Sequence, residues 1–237
     1  MNTNRVLRRD GSLPTGGEKR EAVEAMFDRV APTYDRANRV ISLGMDSGWR
    51  RRAVRTLQLP VGSRVLDIAC GTGDFCCDLQ AAGLRPMGID FSAGMLQNAR
   101  TSAPLLRGDA LALPVRPGAL DGITCGFALR NFVDLDAHFA AAADALRPGG
   151  RYIALDATEP ANALVRIGHR AWFGTMVPLL GKVVSRDGEA YRYLPKSTAY
   201  LPPRAELEAR LRAAGFGDVR SESLLMGSAV LLSGTRA

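Results

Sequence analysis

A glycine-rich turn is the first feature of the chain that could do chemistry. Gly71, Thr72 and Gly73 follow an apolar segment that ends at Ala69, and a helix-forming segment begins at Asp74. Glycines let the backbone turn tightly and approach a small ligand without an intervening side chain. Dinucleotide sites use similar turns, so the turn alone predicts a small-molecule site and leaves its ligand open.

Three carboxylates narrow the choice of ligand. Asp67 lies inside the first apolar segment, Asp90 ends the second, and Asp109 follows the third. An acidic residue at the end of the second strand can accept hydrogen bonds from both ribose hydroxyls, and one after the third strand could meet an adenine amino group. Cys76 stands where a dinucleotide turn has its third glycine, and the sequence has no Tyr-x-x-x-Lys pair. An NAD(P)-dependent oxidoreductase is therefore disfavoured.

The elements that must position these residues are short apolar strands that alternate with helices. This alternation predicts a doubly wound, mostly parallel sheet. The expected fold class is α/β and Rossmann-like, with seven strands, helices on both faces, an N-terminal helical cap and a helical insertion before the last two strands. The predicted strands are residues 65–69, 86–90, 105–107, 122–127, 152–156, 219–225 and 229–234, and the predicted helices are 18–30, 46–57 with Asp46 as N-cap, one from residue 74, 93–100, 137–146 and one within 202–216.

The chain is expected to form one domain with additions. Residues 1–20 have no apolar stretch and are expected to be a flexible leader rather than a secretory signal. Residues 21–237 are expected to be a single domain. It consists of a helical cap (21–60), a cofactor-binding core (61–159), a lid-like insertion (160–200) and a C-terminal helix with two strands (201–237).

The composition fits a globular, cytoplasmic protein. Hydrophobic residues make up 46% of the 237 residues, and no run approaches the roughly 18–20 apolar residues that span a bilayer. The net charge of +7 comes mainly from arginine and no nucleic-acid-binding motif accompanies it, so no nucleic acid partner is expected. The four cysteines lack the paired spacing of a zinc site and are expected to be reduced thiols, with no metal bound.

Four motifs occur in order: D-x-A-C-G-T-G-D from residue 67, G-I-D-F-S from 88, G-D-A-x-x-L-P from 108 and L-R-P-G-G from 146. Together they resemble the class I S-adenosylmethionine-dependent methyltransferases, whose cofactor is a sulfonium with a free amino acid end. The resemblance implies S-adenosyl-L-methionine as the cofactor. It also implies that Asp67, Gly71, Thr72 and Gly73 shape the pocket for its methionine end, that Asp90 binds the ribose, that Asp109 and the Ala110 backbone N–H bind the adenine, and that Gly126 borders the site.

Three further stretches are more specific than the glycine-rich turn. They are M-F-D-R-V-A-P-T-Y-D at residues 26–35, G-F-A-L-R-N at 126–131 and Y-R-Y-L-P-K-S at 191–197. These stretches resemble the UbiE/MenG family over about residues 22–234. The resemblance implies C-methylation of the ring of demethylmenaquinol or of a polyprenyl benzoquinol, so the expected acceptor is a lipophilic quinol of menaquinone or ubiquinone biosynthesis.

The chemistry of such a reaction indicates which side chains it needs. The electron-rich ring carbon attacks the sulfonium methyl in line, so two reactants must be positioned and one ring proton must later leave. A cation beside the ring oxygen would favour the more nucleophilic phenolate. The resemblance implies Arg130 in this role with Asn131 beside it, and Tyr34 as a hydrogen-bond partner of the ring or part of a proton relay. Arg130 as a capping ion pair and Tyr34 as a packed aromatic residue stay open as alternatives. Substrate contacts are expected from Tyr191, Tyr193 and Trp172.

The insertion carries an amphipathic segment. One hypothesis is a mobile lid that shelters a prenyl tail and rests on the anionic inner face of the cytoplasmic membrane. The other is a helix packed on its own sheet. A homodimer is also kept open, because the sequence does not reveal the oligomeric state. On a helical wheel Arg166, His169 and Arg170 share one face, opposite Leu164, Ile167, Ala171 and Trp172, and Met176, Val177, Leu179 and Leu180 follow.

Four positions depart from the usual residues of the UbiE/MenG family. Gly126 stands where serine is usual, Asp156 and Lys196 where glutamate is usual, and Leu232 where histidine is usual. The changes at Lys196 and Leu232 are expected close to the acceptor pocket. The cofactor prediction is unaffected because its residues are intact, whereas a UbiE-like enzyme for another phenol, quinol or natural-product scaffold stays the alternative. A non-catalytic cofactor-binding protein is a third hypothesis.

Overall fold

One seven-stranded sheet forms the centre of the molecule. The computed structural model describes residues 6–8, 10–172 and 189–237, without the side chains of Arg170, Tyr191, Leu194 and Pro195. The strands are β1 (Arg64–Ile68), β2 (Arg85–Asp90), β3 (Leu105–Arg107), β4 (Leu120–Gly126), β5 (Leu146–Ala157), β6 (Phe216–Leu224) and β7 (Ala229–Arg236). Their order is β3-β2-β1-β4-β5-β7-β6, and β7 runs antiparallel to both of its neighbours.

Helices cover both faces of the sheet and its carboxyl edge. The helices of the described ranges are α1 (Gly16–Val30), α2 (Tyr34–Ile41), α3 (Met45–Leu57), α4 (Asp74–Ala81), α5 (Ala93–Gln97), α6 (Leu135–Ala145), α7 (Ala163–Ala171), α8 (Ala190–Ser197) and α9 (Arg204–Ala213). Short 3-10 turns occur at Ala31–Thr33, Leu129–Asn131, Thr198–Tyr200 and Leu225–Gly227.

Two hydrophobic cores lie on opposite faces of the sheet. Along β5, Tyr152 and Ala154 belong to one core, and Ile153 and Leu155 belong to the other. Successive side chains of a strand point to opposite faces, so this alternation assigns one core to each face. Helices α6 and α9 contribute to the first core, and α3 and α4 to the second. The predicted doubly wound α/β fold is therefore confirmed.

The N-terminal cap has a small core of its own. Val23, Met26 and Val30 of α1 follow a helical spacing and are buried together. They pack with Met95 of α5 and Tyr193 of α8. Because α5 begins just beyond the end of β2, this packing attaches the cap at the carboxyl edge of the sheet.

The N-terminal boundary differs from the expectation. Helix α1 begins at Gly16, so residues 16–20 of the expected leader are helical. Val6 is 1% exposed, packs in the cap core, and donates its backbone N–H to Glu189 Oε1 over 3.1 Å. The expectation of a flexible leader up to residue 20 is wrong for these residues, because apolar side chains that precede the helix are buried in the cap.

The start of α3 also differs from the prediction. The helix begins at Met45 after Gly44, whose φ is +76°, and Asp46 lies in its first turn instead of at its N-cap. Asp46 accepts a hydrogen bond from Ser42 Oγ over 2.6 Å and pairs with Arg50 at 2.5 Å. These two contacts occupy the carboxylate that was expected to cap the helix.

The insertion lies between β5 and β6 and contributes α7 and α8. The lid residues Met176, Val177, Leu179 and Leu180 fall outside the described ranges, so the lid stays a prediction. No helix in the described part of the chain has both the length and the apolarity needed to cross a bilayer.

Candidate active site

The glycine-rich turn connects β1 to α4 and needs glycine at two positions for different reasons. Gly71 and Gly73 have φ angles of +55° and +89°, in the left-handed region that favours glycine. A Cβ atom on Gly71 would meet nothing within 4 Å, because this residue borders an open cavity. A Cβ atom on Gly73 would lie 2.5 Å from Thr101 Cγ2. Gly71 therefore leaves space at the cavity, whereas Gly73 leaves space for a protein neighbour.

A cavity opens beside this turn, and we call it the glycine-turn cavity. The carboxyl ends of β1, β2 and β4 form one side of it, which is where open α/β sheets bind their ligands. Helices α1 and α2 of the cap form the opposite side. The predicted cofactor residues that line it are Gly71, Asp90, Asp109, Ala110 and Gly126.

Asp90 is held at the end of β2 by two backbone groups. Its Oδ2 accepts from the N–H of Gly71 and its Oδ1 from the N–H of Ser92, each over 2.8 Å. Burial raises the pKa of Asp90 to about 6. Each carboxylate oxygen keeps a second acceptor position, so the group can bind two hydroxyls of a ribose.

Asp109 and Ala110 form another wall of the glycine-turn cavity. Asp109 Oδ1 accepts from the Leu111 N–H over 2.9 Å, and Oδ2 pairs with Arg20 of α1 at 2.9 Å. The Ala110 carbonyl lies 3.2 Å from Nδ1 of the buried His138 imidazole. The sheet and the cap therefore build this wall together.

Asp67 and Thr72 lie behind the glycine-rich turn and do not line its cavity. Asp67 accepts from Thr124 Oγ1 over 2.8 Å and from Cys76 Sγ over 3.7 Å, and burial raises its pKa to about 7. Thr72 Oγ1 donates to Asp35 Oδ1 over 2.5 Å. Direct contact of these two side chains with a cofactor is not supported. Thr72 connects the turn to the cap, whereas Asp67 connects β1 to β4 and α4.

A second cavity adjoins the first. We call it the apolar cavity, because aliphatic and aromatic side chains form most of its wall. The two cavities share Phe27, Tyr34 and Phe127, so two ligands could lie side by side there. Phe127 has a φ of +57°, a strain of about 1–3 kcal/mol that is typical of ligand sites. The apolar wall includes Ile41, Leu43, Trp49, Leu164, Val165, Trp172, Leu225 and Met226.

Arg130 reaches the apolar cavity from the 3-10 turn that follows β4. Its Nη1 pairs with Oδ1 of Asp156, which is 0% exposed at the end of β5. Its Nε donates to Ser197 Oγ over 3.2 Å, and its backbone N–H donates to Asp156 Oδ2 over 3.1 Å. An ion pair, one of the roles considered for Arg130, is therefore present. The Nη2 nitrogen has no hydrogen-bond partner in the described part of the protein.

Asn131 and Tyr34 line the glycine-turn cavity. Asn131 Oδ1 accepts from the Tyr193 hydroxyl over 3.0 Å, which leaves its Nδ2 for a ligand. Tyr34 packs edge-on against Phe27 with ring centres 5.9 Å apart, and burial raises its pKa. Tyr193 is 1% exposed and lines neither cavity. Its predicted substrate contact is therefore not supported by these contacts, because its hydroxyl is bound to Asn131.

The remaining predicted residues have mixed outcomes. Trp172 lines the apolar cavity, and its Nε1–H donates to the Ile41 carbonyl over 3.2 Å. The side chain of Tyr191 is not among the side chains that the structure describes. A Cβ atom on Gly126 would lie 2.6 Å from the Phe75 ring. This ring fills the space that a serine at position 126 would need.

Two of the four departures from the usual family residues lie away from the apolar cavity. Leu232 is 0% exposed in the core of the sheet, where it pairs with Ala154. Lys196 is exposed, and its Nζ donates to the Gly11 carbonyl over 2.8 Å. The expectation that these two changes lie close to the acceptor pocket is wrong, because one side chain faces the core and the other the N-terminal segment.

Four residues contribute to the site without having been predicted there. Phe27 and Phe127 form the shared wall, Arg20 pairs with Asp109, and Asp156 pairs with Arg130. The two phenylalanines lie inside the motifs at residues 26–35 and 126–131, so the sequence carried a signal that could have located them in the site. Arg20 lies outside every motif.

The sequence and the fold of the chain are both similar to those of known proteins. The chain is 39% identical over 244 residues to a demethylmenaquinone methyltransferase of Roseiflexus castenholzii, covering 100% of this chain and 99% of that one. It is 40% identical over 220 residues to a demethylmenaquinone methyltransferase of Thermus thermophilus, covering 89% and 100%. Among solved structures, a SAM-dependent methyltransferase of Thermotoga maritima is similar with a TM-score of 0.64 at 22% identity, over 90% of this chain and 98% of that one. Residues 15–236 match the ubiE/COQ5 methyltransferase family, and the chain therefore belongs to that family.

Proposed function

We propose that this methyltransferase moves the methyl group of S-adenosylmethionine to a ring carbon of demethylmenaquinol. The observation that carries the proposal is the junction of the two cavities at Phe27, Tyr34 and Phe127. The glycine-turn cavity offers carboxylates to a polar cofactor, and the apolar cavity offers hydrocarbon surface to a prenylated ring. The names of the relatives support the same acceptor.

The residues of the glycine-turn cavity fit S-adenosylmethionine, which supplies an electrophilic methyl group when bound. Asp90 would bind the ribose hydroxyls through the free acceptor positions of its two oxygens. Asp109 and the Ala110 N–H would bind the adenine, and Gly71 leaves room for the methionine end.

A hydrogen bond between Asp35 and Thr72 ties the cap to the glycine-rich turn. We expect Asp35→Ala to weaken binding of S-adenosylhomocysteine about tenfold, because a hydrogen bond to a charged group contributes roughly 1.5–3 kcal/mol. Isothermal titration calorimetry measures this change. The matched control is Asp136→Ala, which removes an exposed carboxylate paired with Arg210. Wild-type affinity in Asp35→Ala would show that the cap does not support the cofactor site through this bond.

Arg130 would act on an oxygen of the acceptor ring. Its pair with Asp156 fixes the guanidinium in the wall of the apolar cavity and leaves Nη2 for a ring hydroxyl. A cation there favours the phenolate. The ring carbon then supplies the electron pair of the new carbon–carbon bond while the carbon–sulfur bond breaks and leaves a neutral sulfide. Loss of the proton from that ring carbon restores the aromatic ring.

Asn131 and Tyr34 would orient the two reactants at the junction. Asn131 has a free amide N–H donor because its oxygen is bound to Tyr193. Burial of Tyr34 raises its pKa, so the phenol stays protonated near neutral pH. Tyr34 therefore donates a hydrogen bond, to the ring oxygen or to a water that carries the ring proton away.

A methyl-transfer assay with methyl-labelled S-adenosylmethionine tests the proposal. The acceptors are reduced demethylmenaquinone, a reduced polyprenyl benzoquinone and a host metabolite extract. We expect label in the methylated naphthoquinol. Label in the benzoquinol alone would indicate an acceptor of the ubiquinone series. Label only in another phenol of the extract would contradict the proposal of a prenylated quinol.

We also propose that α7 contacts the inner face of the cytoplasmic membrane. Leu164 and Ile167 of this helix are 81% and 66% exposed, so the predicted apolar face is not packed on the sheet. Leu43 and Met226, which line the apolar cavity, are 65% and 71% exposed. An exposed apolar rim around this cavity would let a prenyl tail pass between the enzyme and the bilayer.

Vesicle flotation tests the membrane contact. We expect the double substitution Leu164→Ser and Ile167→Ser to lower partitioning onto anionic vesicles about a hundredfold, because each aliphatic side chain buried in the bilayer contributes roughly 1.5 kcal/mol or more. Val61→Ser is the matched control, since Val61 is 81% exposed in the turn before β1. Equal partitioning of the double variant and the control would contradict a contact through α7.

A further inference from the structure

Lys19 is a buried lysine of α1 beside the turn that carries Arg130 and Asn131. It is 5% exposed. Its Nζ donates to the carbonyl oxygens of Arg130 and Phe132 over 2.9 and 2.7 Å. The ammonium also lies 3.8 Å from the centre of the Tyr200 ring, within cation–π distance. Two carbonyls and one aromatic face therefore surround the three N–H groups of this side chain.

An ammonium group at this position costs free energy. Burial and the nearby charge of Arg130 together lower the pKa of Lys19 to about 8, and no carboxylate of the described chain offsets these effects. A methionine of similar length would fill the same space without a charge. The ammonium charge is therefore needed for the hydrogen bonds to the two carbonyl groups and not for packing of the cap.

The two carbonyls flank the side chains proposed to act on the acceptor. They belong to Arg130 and Phe132, the neighbours of Asn131 on either side. The segment is one short 3-10 turn, whose last carbonyls have no partner within the turn itself. Lys19 bonds them from 111 and 113 positions away in the sequence. Ser197 and Tyr193 bond the side chains of the same turn from α8.

We propose that Lys19 is a positioning residue for methyl transfer, which holds the turn of Arg130 and Asn131 in its reactive geometry from the N-terminal cap. The inference rests on the proposed roles of those two side chains, and Lys19 itself lines neither cavity. Displacing a catalytic group by about 1 Å can cost on the order of a hundredfold in rate. Loss of Lys19 therefore acts on turnover more than on the binding of either ligand.

Lys19→Met tests this role, with Lys196→Met as the matched control. Each substitution removes an ammonium that donates to a backbone carbonyl, but Lys196 is exposed and bonds Gly11. We expect Lys19→Met to lower kcat for demethylmenaquinol about twentyfold, with the quinol KM and the S-adenosylhomocysteine Kd within about threefold of wild type. Lys196→Met should keep the wild-type kcat. A wild-type kcat in Lys19→Met, or equal losses in both variants, would overturn the inference.

Hydrogen exchange of the turn separates this inference from the proposed acceptor. With S-adenosylhomocysteine bound and no quinol, we expect the amides of residues 129–133 to exchange about tenfold faster in Lys19→Met than in wild type, and those of α9 to be unchanged. This measurement needs no acceptor. Failure of the wild-type protein to methylate any quinol would therefore count against the proposed function alone, whereas unchanged exchange of the turn would count against the role of Lys19.

Lys19→Arg provides a second variant in case methionine prevents folding. Arginine keeps a charged donor for the two carbonyls, so we expect kcat within about fivefold of wild type and near-native exchange of the turn. A twentyfold loss of kcat in this variant at an unchanged melting temperature would show that the charged donor is not what positions the turn.

Discussion

Replacing Arg130 with alanine is expected to lower kcat about a thousandfold while the Kd for S-adenosylhomocysteine stays within about threefold of wild type. Removal of a group that stabilises developing negative charge typically costs a factor of about a hundred to a thousand in turnover. Arg130 lines the apolar cavity and not the glycine-turn cavity, so cofactor binding should be nearly intact. Single-turnover methyl transfer and isothermal titration calorimetry measure the two quantities separately.

The buried ion pair makes a stability control necessary. Asp156 is 0% exposed, and removal of Arg130 alone leaves its carboxylate without a partner, at a cost of about 3–5 kcal/mol. Low activity of Arg130→Ala could therefore report unfolding instead of lost chemistry. Thermal unfolding of the variant with bound S-adenosylhomocysteine distinguishes the two.

A double variant separates the charge pair from the chemistry. Arg130→Met combined with Asp156→Asn removes both charges. The backbone N–H of Arg130 donates to Asp156 Oδ2 over 3.1 Å and that of Ala157 to Oδ1 over 2.7 Å, so the single asparagine oxygen keeps one of these two bonds. Replacing a whole buried ion pair is often close to neutral for stability. We expect the double variant to recover most of the lost stability and to stay as slow as Arg130→Ala. Recovery of turnover together with stability would refute a role of the guanidinium in methyl transfer.

The fold could be predicted because its signals are local. The buried segment of β1 and the glycines that follow it are consecutive residues, so strand, turn and helix could be located from the sequence. Errors arose where a local signal has two meanings. Strand β5 begins at Leu146, whereas the predicted strand begins at Tyr152. The prediction missed the first residues because Pro148 and two glycines indicate a turn. The chain nevertheless pairs with β4 on both sides of an irregularity in the register. Asp46 fits an N-cap by residue type, but Ser42 and Arg50 bind its carboxylate.

The site residues that lie at the end of a single strand could be predicted from the sequence. Asp90 and Asp109 line the glycine-turn cavity because Asp90 is the last residue of β2 and Asp109 lies two residues beyond the end of β3. Contacts between distant segments had no local signal, and the bonds of Lys19 to the Arg130 turn are the clearest case. A motif indicates that a residue matters without saying which way its side chain points. Tyr193 lies in a family motif but bonds Asn131 from outside both cavities.

Replacing Asp90 with alanine is expected to weaken S-adenosylhomocysteine binding about a hundredfold, or about 2.8 kcal/mol. The substitution removes the acceptor for the ribose hydroxyls and the anchor of the Gly71 N–H, and hydrogen bonds to a charged group contribute roughly 1.5–3 kcal/mol each. Turnover at saturating S-adenosylmethionine should fall less than tenfold, by about three- to fivefold, because Asp90 does not reach the apolar cavity. Asp144→Ala, an exposed aspartate of α6, is the control. Equal losses of cofactor affinity in Asp90→Ala and Arg130→Ala would show that one of the two residues is misplaced.

The titration of Asp90 gives this prediction a pH dependence with a definite sign. Burial raises its pKa to about 6, so the ionised carboxylate that accepts from ribose predominates above pH 6 and is lost below it. Affinity for S-adenosylhomocysteine should therefore fall about tenfold between pH 7 and pH 5, and Asp90→Asn should bind weakly with little change over the same range. Burial raises the pKa of Asp67 to about 7, but this side chain does not line the cavity. If the affinity of Asp90→Asn for S-adenosylhomocysteine still changed with pH, with a midpoint near pH 7, the pH dependence would be assigned to Asp67. That result would contradict the ribose contact of Asp90.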